Sequence, residues 1–173
     1  MPSRRLQRPN GAYICLGSND ARAAAMLKAA RLRLGVIPDV RPGSASGIYR
    51  TEPQDCKEQA WFLNQVVEVF PGNSWTPESF LLTLLDMERD LGRTRASGDK
   101  RYGPRVIDMD LLLYGAAKSS SPSCLLPHPR MSRRAFVLVP LLEIAPDIHI
   151  DDVSVKSLLD RLKYRVEDNR IFQ

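Results

Sequence analysis

An α+β fold is predicted by three features of this 173-residue sequence. Short apolar runs end at glycine or proline, as strands do. Two longer stretches carry helix start and stop signals, and the elements follow in the order strand, helix, strand, strand, helix, strand. That order is the split βαβ arrangement of a ferredoxin-like βαββαβ core, an antiparallel sheet with helices packed on its faces, here with C-terminal additions.

AYICLG (12–17) is an apolar run closed by glycine and reads as a buried strand. Ser18, Asn19 and Asp20 are good caps for a helix from Ala21 to Leu34, which Gly35 closes. SGIYRT (46–51) and WFLNQVVEVF (61–70) read as the second and third strands, separated by a polar segment. Thr76 caps a second helix that starts at Pro77, turns Phe80, Leu81, Leu84, Leu85 and Met87 to one side and ends at Gly92. A basic loop, 93–104, precedes the fourth strand, VIDMDLLLY (106–114). Beyond it come a Ser-Pro loop (115–127), a turn at Pro127 and Pro129, an apolar run (136–146) whose period fits a short strand or a helix, and a last helix over 155–162. Residues 12–165 are expected to form a single domain, with 1–11 as a flexible basic tail.

Hydrophobic residues make up 43% and charged residues 26%, ordinary for a globular protein, and the longest apolar runs fall short of the ~20 residues that cross a bilayer. The arginines near the start are not followed by an apolar run with a small-residue cleavage site, so no secretory signal is expected. Cys15, Cys56 and Cys124 are odd in number and far apart, which fits neither a disulfide framework nor a zinc site and points to a reducing, cytoplasmic setting. The net charge of +5 favours anionic partners. It is concentrated: Arg93, Arg95, Lys100, Arg101 and Arg105 face one acid, Asp99, and Arg130, Arg133 and Arg134 form a second group.

Against that basic background Asp108 and Asp110 stand inside an apolar strand. Side chains two apart on a strand share a face, so the two carboxylates emerge together while Ile107, Met109 and Leu111 point the other way. Each could pair with an arginine at the strand edge; together they could hold Mg²⁺, which takes oxygen ligands and keeps waters and substrate phosphates. Two carboxylates beside a cluster of guanidinium forks suit polyphosphate chemistry, in which positioning and electrostatics carry most of the acceleration. GSN (17–19), between the first strand and first helix, could bind an anion through backbone N–H groups or serve as a turn and cap. There is no Walker-type phosphate loop and no kinase glycine loop.

The motifs LGSN (16–19), YRTEP (49–53), FLN (62–64), GRTR (92–95), RYGPRVIDMDLLLYG (101–115), LPHPRM (126–131) and RRAFVLVPLLEIAP (133–146) occur together and in order. In these the chain resembles the 6-hydroxymethyl-7,8-dihydropterin pyrophosphokinases of folate biosynthesis, over about residues 12–150. The resemblance implies transfer of pyrophosphate from ATP to the pterin hydroxymethyl group with release of AMP, and two Mg²⁺ ions held by Asp108 and Asp110. It implies phosphate and loop-closure roles for Arg93, Arg95, Arg105 and Arg134, with Glu88, Tyr102, Leu111 and His128 also at the nucleotide. For the pterin it implies Phe62 and Phe136 stacked on the ring, Asn64 with Thr51 and Pro53 at its amide-like edge, and Asp108 near its hydroxyl. By pattern alone Phe62 and Phe136 would be core residues and His128 a turn residue. Tyr102 stands where many members have tryptophan, QDCKEQA (54–60) lacks an expected glycine, and SSSPSC (119–124) lacks a cation that some members carry. A monomer without nucleic-acid or membrane partners is expected. Two other readings are compatible with a basic protein of this fold: an RNA-binding module, whose sheet would carry the RNP aromatic signature that no strand here shows, and a nucleotidyltransferase using the same acids, which would release pyrophosphate.

Overall fold

β1 (Ala12–Ser18) is buried along its whole length and runs between two antiparallel partners, which makes it the hub of the sheet. The computed structural model describes residues 11–54, 59–92 and 105–173. After β1 come α1 (Ala23–Leu34), β2 (Val40–Ala45), β3 (Tyr49–Thr51), β4 (Phe62–Pro71), α2 (Pro77–Asp90) and β5 (Asp108–Tyr114). A small hairpin of β6 (Ser119–Ser121) and β7 (Cys124–Leu126) leads through a cis Leu126–Pro127 bond to α3 (Ala135–Ile144). The chain continues with β8 (His149–Ile150), β9 (Val153–Ser154), α4 (Val155–Leu159), β10 (Arg165–Glu167) and β11 (Arg170–Phe172). The main sheet runs β10-β11-β3-β4-β1-β5, with β2 also on β4, so its central order β5-β1-β4-β3 is the antiparallel ferredoxin-like order.

Alternation along β1 and β5 divides the core in two. Ile14, Leu16, Met109 and Leu111 face α1 and α2, where Leu27, Leu34, Phe80 and Leu84 are buried against them. Tyr13, Cys15, Val66 and Leu112 face the opposite side, covered by Val137, Leu138 and Leu141 of α3 and by Val155 and Leu159 of α4. Each fully buried side chain of this size contributes about 1.5–3 kcal/mol by leaving water. Helices therefore lie on both faces of the central sheet.

Several elements differ from the sequence expectation. Residues 40–45 form a strand that Pro42 and Gly43 hide from pattern reading. Pro42 is tolerated beside a register shift, and Gly43 is needed because a Cβ there would lie 2.9 Å from both the Glu68 carbonyl oxygen and the Phe70 ring. The expected strand over 46–51 is accordingly shorter, 49–51. Ser18 and Asn19 do not cap α1; Asp20 accepts the Arg22 N–H at 2.9 Å just ahead of the helix, whose N-cap residue Arg22 makes no side-chain cap. Thr76 does cap α2, in a reciprocal box with Ser79 behind Pro77. The run at 136–146 is helical; because it is apolar all round and buried, its period could not separate helix from strand. The loop expected over 115–127 contains the β6–β7 hairpin, and the sheet extends past residue 165 through β10 and β11.

Candidate active site

The strand register aligns the central residues of the site. Gly17 of β1 pairs with Asn64 on one side and Asp108 on the other, and one step along the same face Cys15 pairs with Val66 and Asp110. Gly17 makes room for Asn64: a Cβ at residue 17 would stand 2.7 Å from the Asn64 amide oxygen. Asn64 in turn is buried and donates from Nδ2 to the Thr51 hydroxyl at 2.6 Å, joining β4 to β3.

Ser18 and Asn19 hold the segment that enters β5. The Arg105 N–H donates to Asn19 Oδ1 at 2.7 Å, while the Asn19 N–H and the Ser18 hydroxyl both donate to the Arg105 carbonyl at 3.2 Å. LGSN is thus neither an anion cradle nor a helix cap in this structure; it is the clamp that sets where Arg105 and the strand after it begin. Arg105 then pairs with Asp108 at 3.0 Å and lies 5.4 Å from the centroid of the Phe62 ring.

A cleft opens here between the end of the sheet and the start of α3. It is lined by Thr51, Pro53, Phe62, Asn64 and Phe136, together with Arg105, Arg134, Asp108 and Asp110. Arg134 lies 5.4 Å from the centroid of Phe136, as Arg105 does from Phe62, so each aromatic wall carries a guanidinium. Arg130 also lines this cleft. Sequence reasoning placed it in a basic cluster and in the LPHPRM motif without a role at the site; its place directly after the Pro-His-Pro turn was the available signal. Cys15 forms part of the floor. Burial pushes its thiol well above the usual range, Asp110 adds to the effect, Arg134 opposes it and Asp108 adds again, so the group stays a neutral thiol and an inert surface.

A second cleft lies on the outer edge of β5, lined by Glu88, Leu111, Leu125, His128 and Pro129. Asp110 lines both clefts. β5 ends the sheet, so every other backbone group on that edge needs a partner from outside it. Glu88 of α2 supplies one, accepting the Met109 N–H on Oε1 at 2.6 Å, and the His128 N–H supplies another by donating to the Leu112 carbonyl at 2.9 Å. Met109 lies between the two aspartates, so Glu88 holds the backbone that aims them. Glu88→Ala is expected to destabilise the fold by about 2–3 kcal/mol by leaving a buried N–H unpaired; a urea denaturation midpoint equal to that of the parent would contradict this. For His128, burial pulls the imidazole below its ordinary range, Asp110 pulls the other way, and Arg134 and Arg130 depress it further. Nδ1 accepts the Arg130 N–H at 3.3 Å, which leaves the proton of the neutral ring on Nε2.

Of the other residues expected at the site, Arg93, Arg95 and Tyr102 lie outside the described residues. Among the described residues no cluster of three or more His, Cys, Asp or Glu side chains is suited to a metal. Two carboxylates on one strand face, with hard oxygen donors and no dedicated cage, match the way Mg²⁺ binds together with a phosphate-bearing substrate, not a structural zinc site.

The family model described as 7,8-dihydro-6-hydroxymethylpterin-pyrophosphokinase matches residues 13–146. The chain belongs to this family. The 2-amino-4-hydroxy-6-hydroxymethyldihydropteridine pyrophosphokinase of Methylorubrum extorquens is 44% identical over 151 residues, covering 87% of this chain and 92% of the relative. The Bacillus subtilis pyrophosphokinase is 37% identical over 148 residues, covering 86% of each. Among solved structures, wild-type HPPK-DHPS from Plasmodium falciparum superposes with a TM-score of 0.65 at 15% identity, a likeness of fold. The match covers 88% of this chain, which spans only 44% of that longer one. In pyrophosphokinase terms, both clefts and the aspartates between them fall inside the matched region, while β10 and β11 lie beyond it.

Proposed function

We propose that this chain transfers the terminal diphosphoryl group of Mg-ATP to the hydroxymethyl oxygen of 6-hydroxymethyl-7,8-dihydropterin, releasing AMP, a step of folate biosynthesis. The observation that carries the reading is Asp110, shared by two clefts of different character and standing on the same strand face as Asp108. One cleft has aromatic walls and an amide, as a flat heterocycle requires; the other has an imidazole and apolar side chains, as a purine nucleoside requires.

Asp108 and Asp110 would hold two Mg²⁺ ions. When bound, the metal neutralises phosphate oxygens and draws charge from the bond to the leaving group. The protein's own groups position the reactants. Phe62 and Phe136 stack on the pterin, each such contact adding about 0.5–1.5 kcal/mol beyond area burial. Asn64, fixed by Thr51, and the backbone around Pro53 address the pterin's amide-like edge. The pterin oxygen then attacks the β-phosphorus, the bond from that phosphorus to the α,β-bridging oxygen breaks, AMP leaves with that oxygen, and the hydroxyl proton passes to solvent. Arg105 and Arg134 stabilise the charge that develops on the transferred group, and Arg93 and Arg95 are assigned to the same phosphates. His128, Leu111, Glu88 and Tyr102 make up the nucleotide side.

The working unit in this reading is a cytoplasmic monomer. No described helix is long and apolar enough to cross a membrane. The coverage of both sheet faces supports the reading over an RNA-binding module, which needs an open sheet face on which bases stack. The test is to incubate the purified protein with Mg-ATP and the hydroxymethyldihydropterin and resolve the nucleotides. AMP that appears only with the pterin is expected; ADP, free pyrophosphate or no turnover would refute the proposal.

A further inference from the structure

The β10–β11 hairpin turns at Asp168 and Asn169, both with positive φ, of 46° and 58°, the left-handed pair that tight hairpins use. Its second strand does not merely extend the sheet. β11 runs parallel to β3, with Ile171 opposite Thr51; the Arg50 N–H donates to the Asn169 carbonyl at 2.8 Å and the Glu52 N–H to the Ile171 carbonyl at 3.4 Å. Thr51 and Glu52 are one wall of the first cleft. Ile171 is buried in the α3-side core, and Phe172 meets Trp61 edge-on with ring centroids 5.3 Å apart.

Gln173 then reaches the opposite wall. Its Oε1 accepts the Ala135 N–H at 2.8 Å and its Nε2 donates to the Arg133 carbonyl at 2.8 Å. The two bonds grip the backbone on either side of Arg134. They also meet a local need. Ala135 opens α3, where the first N–H groups have no partner within the helix, and the N-cap position is Arg134, which makes no side-chain cap. The amide of Gln173 supplies that cap from 38 residues away.

We propose that Gln173 is a positioning residue for the reaction, with β11 as the beam that ties the Thr51–Glu52 wall to the Arg134–Phe136 wall and so sets the width of the pterin cleft. This rests on the assignment of that cleft to the pterin. Losing the grip lets the start of α3 shift, and with it one of the two rings and one of the guanidinium groups facing the substrates, without touching Asp108 or Asp110.

The experiment compares the parent with Gln173→Met, which keeps the side-chain length and removes both hydrogen bonds, and with Gln173→Glu, which keeps the acceptor alone. The parent is assayed first: absence of pterin-dependent AMP release there is a failure of the functional reading, and the positioning role is judged only against an active parent. The expected result is a KM for the pterin raised about tenfold in Gln173→Met and by a smaller factor in Gln173→Glu, with kcat within about threefold and the thermal midpoint within a few degrees of the parent. A purely structural role would lower the midpoint and leave the KM of the folded fraction unchanged. Pterin KM values within twofold of the parent in a folded Gln173→Met protein would overturn the proposal. So would unfolding of both variants, which would assign Gln173 to stability.

Discussion

Asp110→Ala is expected to reduce turnover by on the order of a thousandfold or more while leaving the fold intact. Removing a ligand that draws charge from a phosphoryl-transfer site sacrifices several kcal/mol of transition-state stabilisation. The cost to folding is small because Asp110 is only half-buried, opening onto both clefts, so no well-packed core volume is lost. Asp108 is the less clean probe: it is 9% exposed and pairs with Arg105, so its replacement disturbs the entry to β5 as well as the proposed metal site. The measurement is a rate of AMP formation at saturating Mg-ATP and pterin, paired with a thermal melt. Turnover within threefold of the parent would remove Asp110 from the site; a collapsed melt would mean that it serves the fold.

Asn19→Ala should cost on the order of a hundredfold in kcat/KM although the side chain contacts no reacting group. Asn19 binds the backbone of Arg105 through its own N–H and its side-chain oxygen, and its Nδ2 donates to the Ala60 carbonyl at 3.4 Å. The alanine variant leaves the Arg105 N–H without that acceptor in a part-buried position, a penalty of about 1–3 kcal/mol in stability. The larger effect is geometric, because Arg105 and Asp108 lose their common anchor and a displacement of about 1 Å at a reacting centre costs on the order of a hundredfold. Asn19→Asp keeps the oxygen that accepts the Arg105 N–H, and steady-state kinetics should show it recovering part of the loss. Equal activity in all three proteins would show that the clamp does not serve catalysis.

These two residues mark how differently the site could be read. Asp108 and Asp110 were legible as a pair because a strand has period two and a carboxylate in an apolar run needs a partner; the arginine pairing that the sequence also allowed is present at Asp108, through Arg105. Phe62, Asn64, Phe136 and His128 were legible only through family resemblance, since an aromatic beside a strand or a histidine between prolines has commoner roles. The function of Asn19 was misread. A Gly-Ser-Asn ahead of a helix has the composition of a cap, and only the chain's return at Arg105, 86 residues later, shows which backbone groups its side chain meets. Arg130 was read only as part of a basic group and of the LPHPRM motif, and Gln173 went unnoticed because nothing near it in the chain points to the start of α3 that its side chain meets.

By itself the sequence determined the elements whose signals are local: the buried strand expected at 12–17, the Thr76-capped and proline-started α2, the alternating face of β5, and, from their order, the ferredoxin-like sheet. Tertiary structure alone decided that α3 is a helix, that β2 forms in spite of Pro42 and Gly43, that Asp110 stands between two clefts, and that β11 braces one of them. The reason is range. Periodicity and capping act over a few residues, whereas a pairing register, a close approach that demands glycine, or a side-chain amide capping a distant helix depends on contacts between segments that lie far apart in the chain.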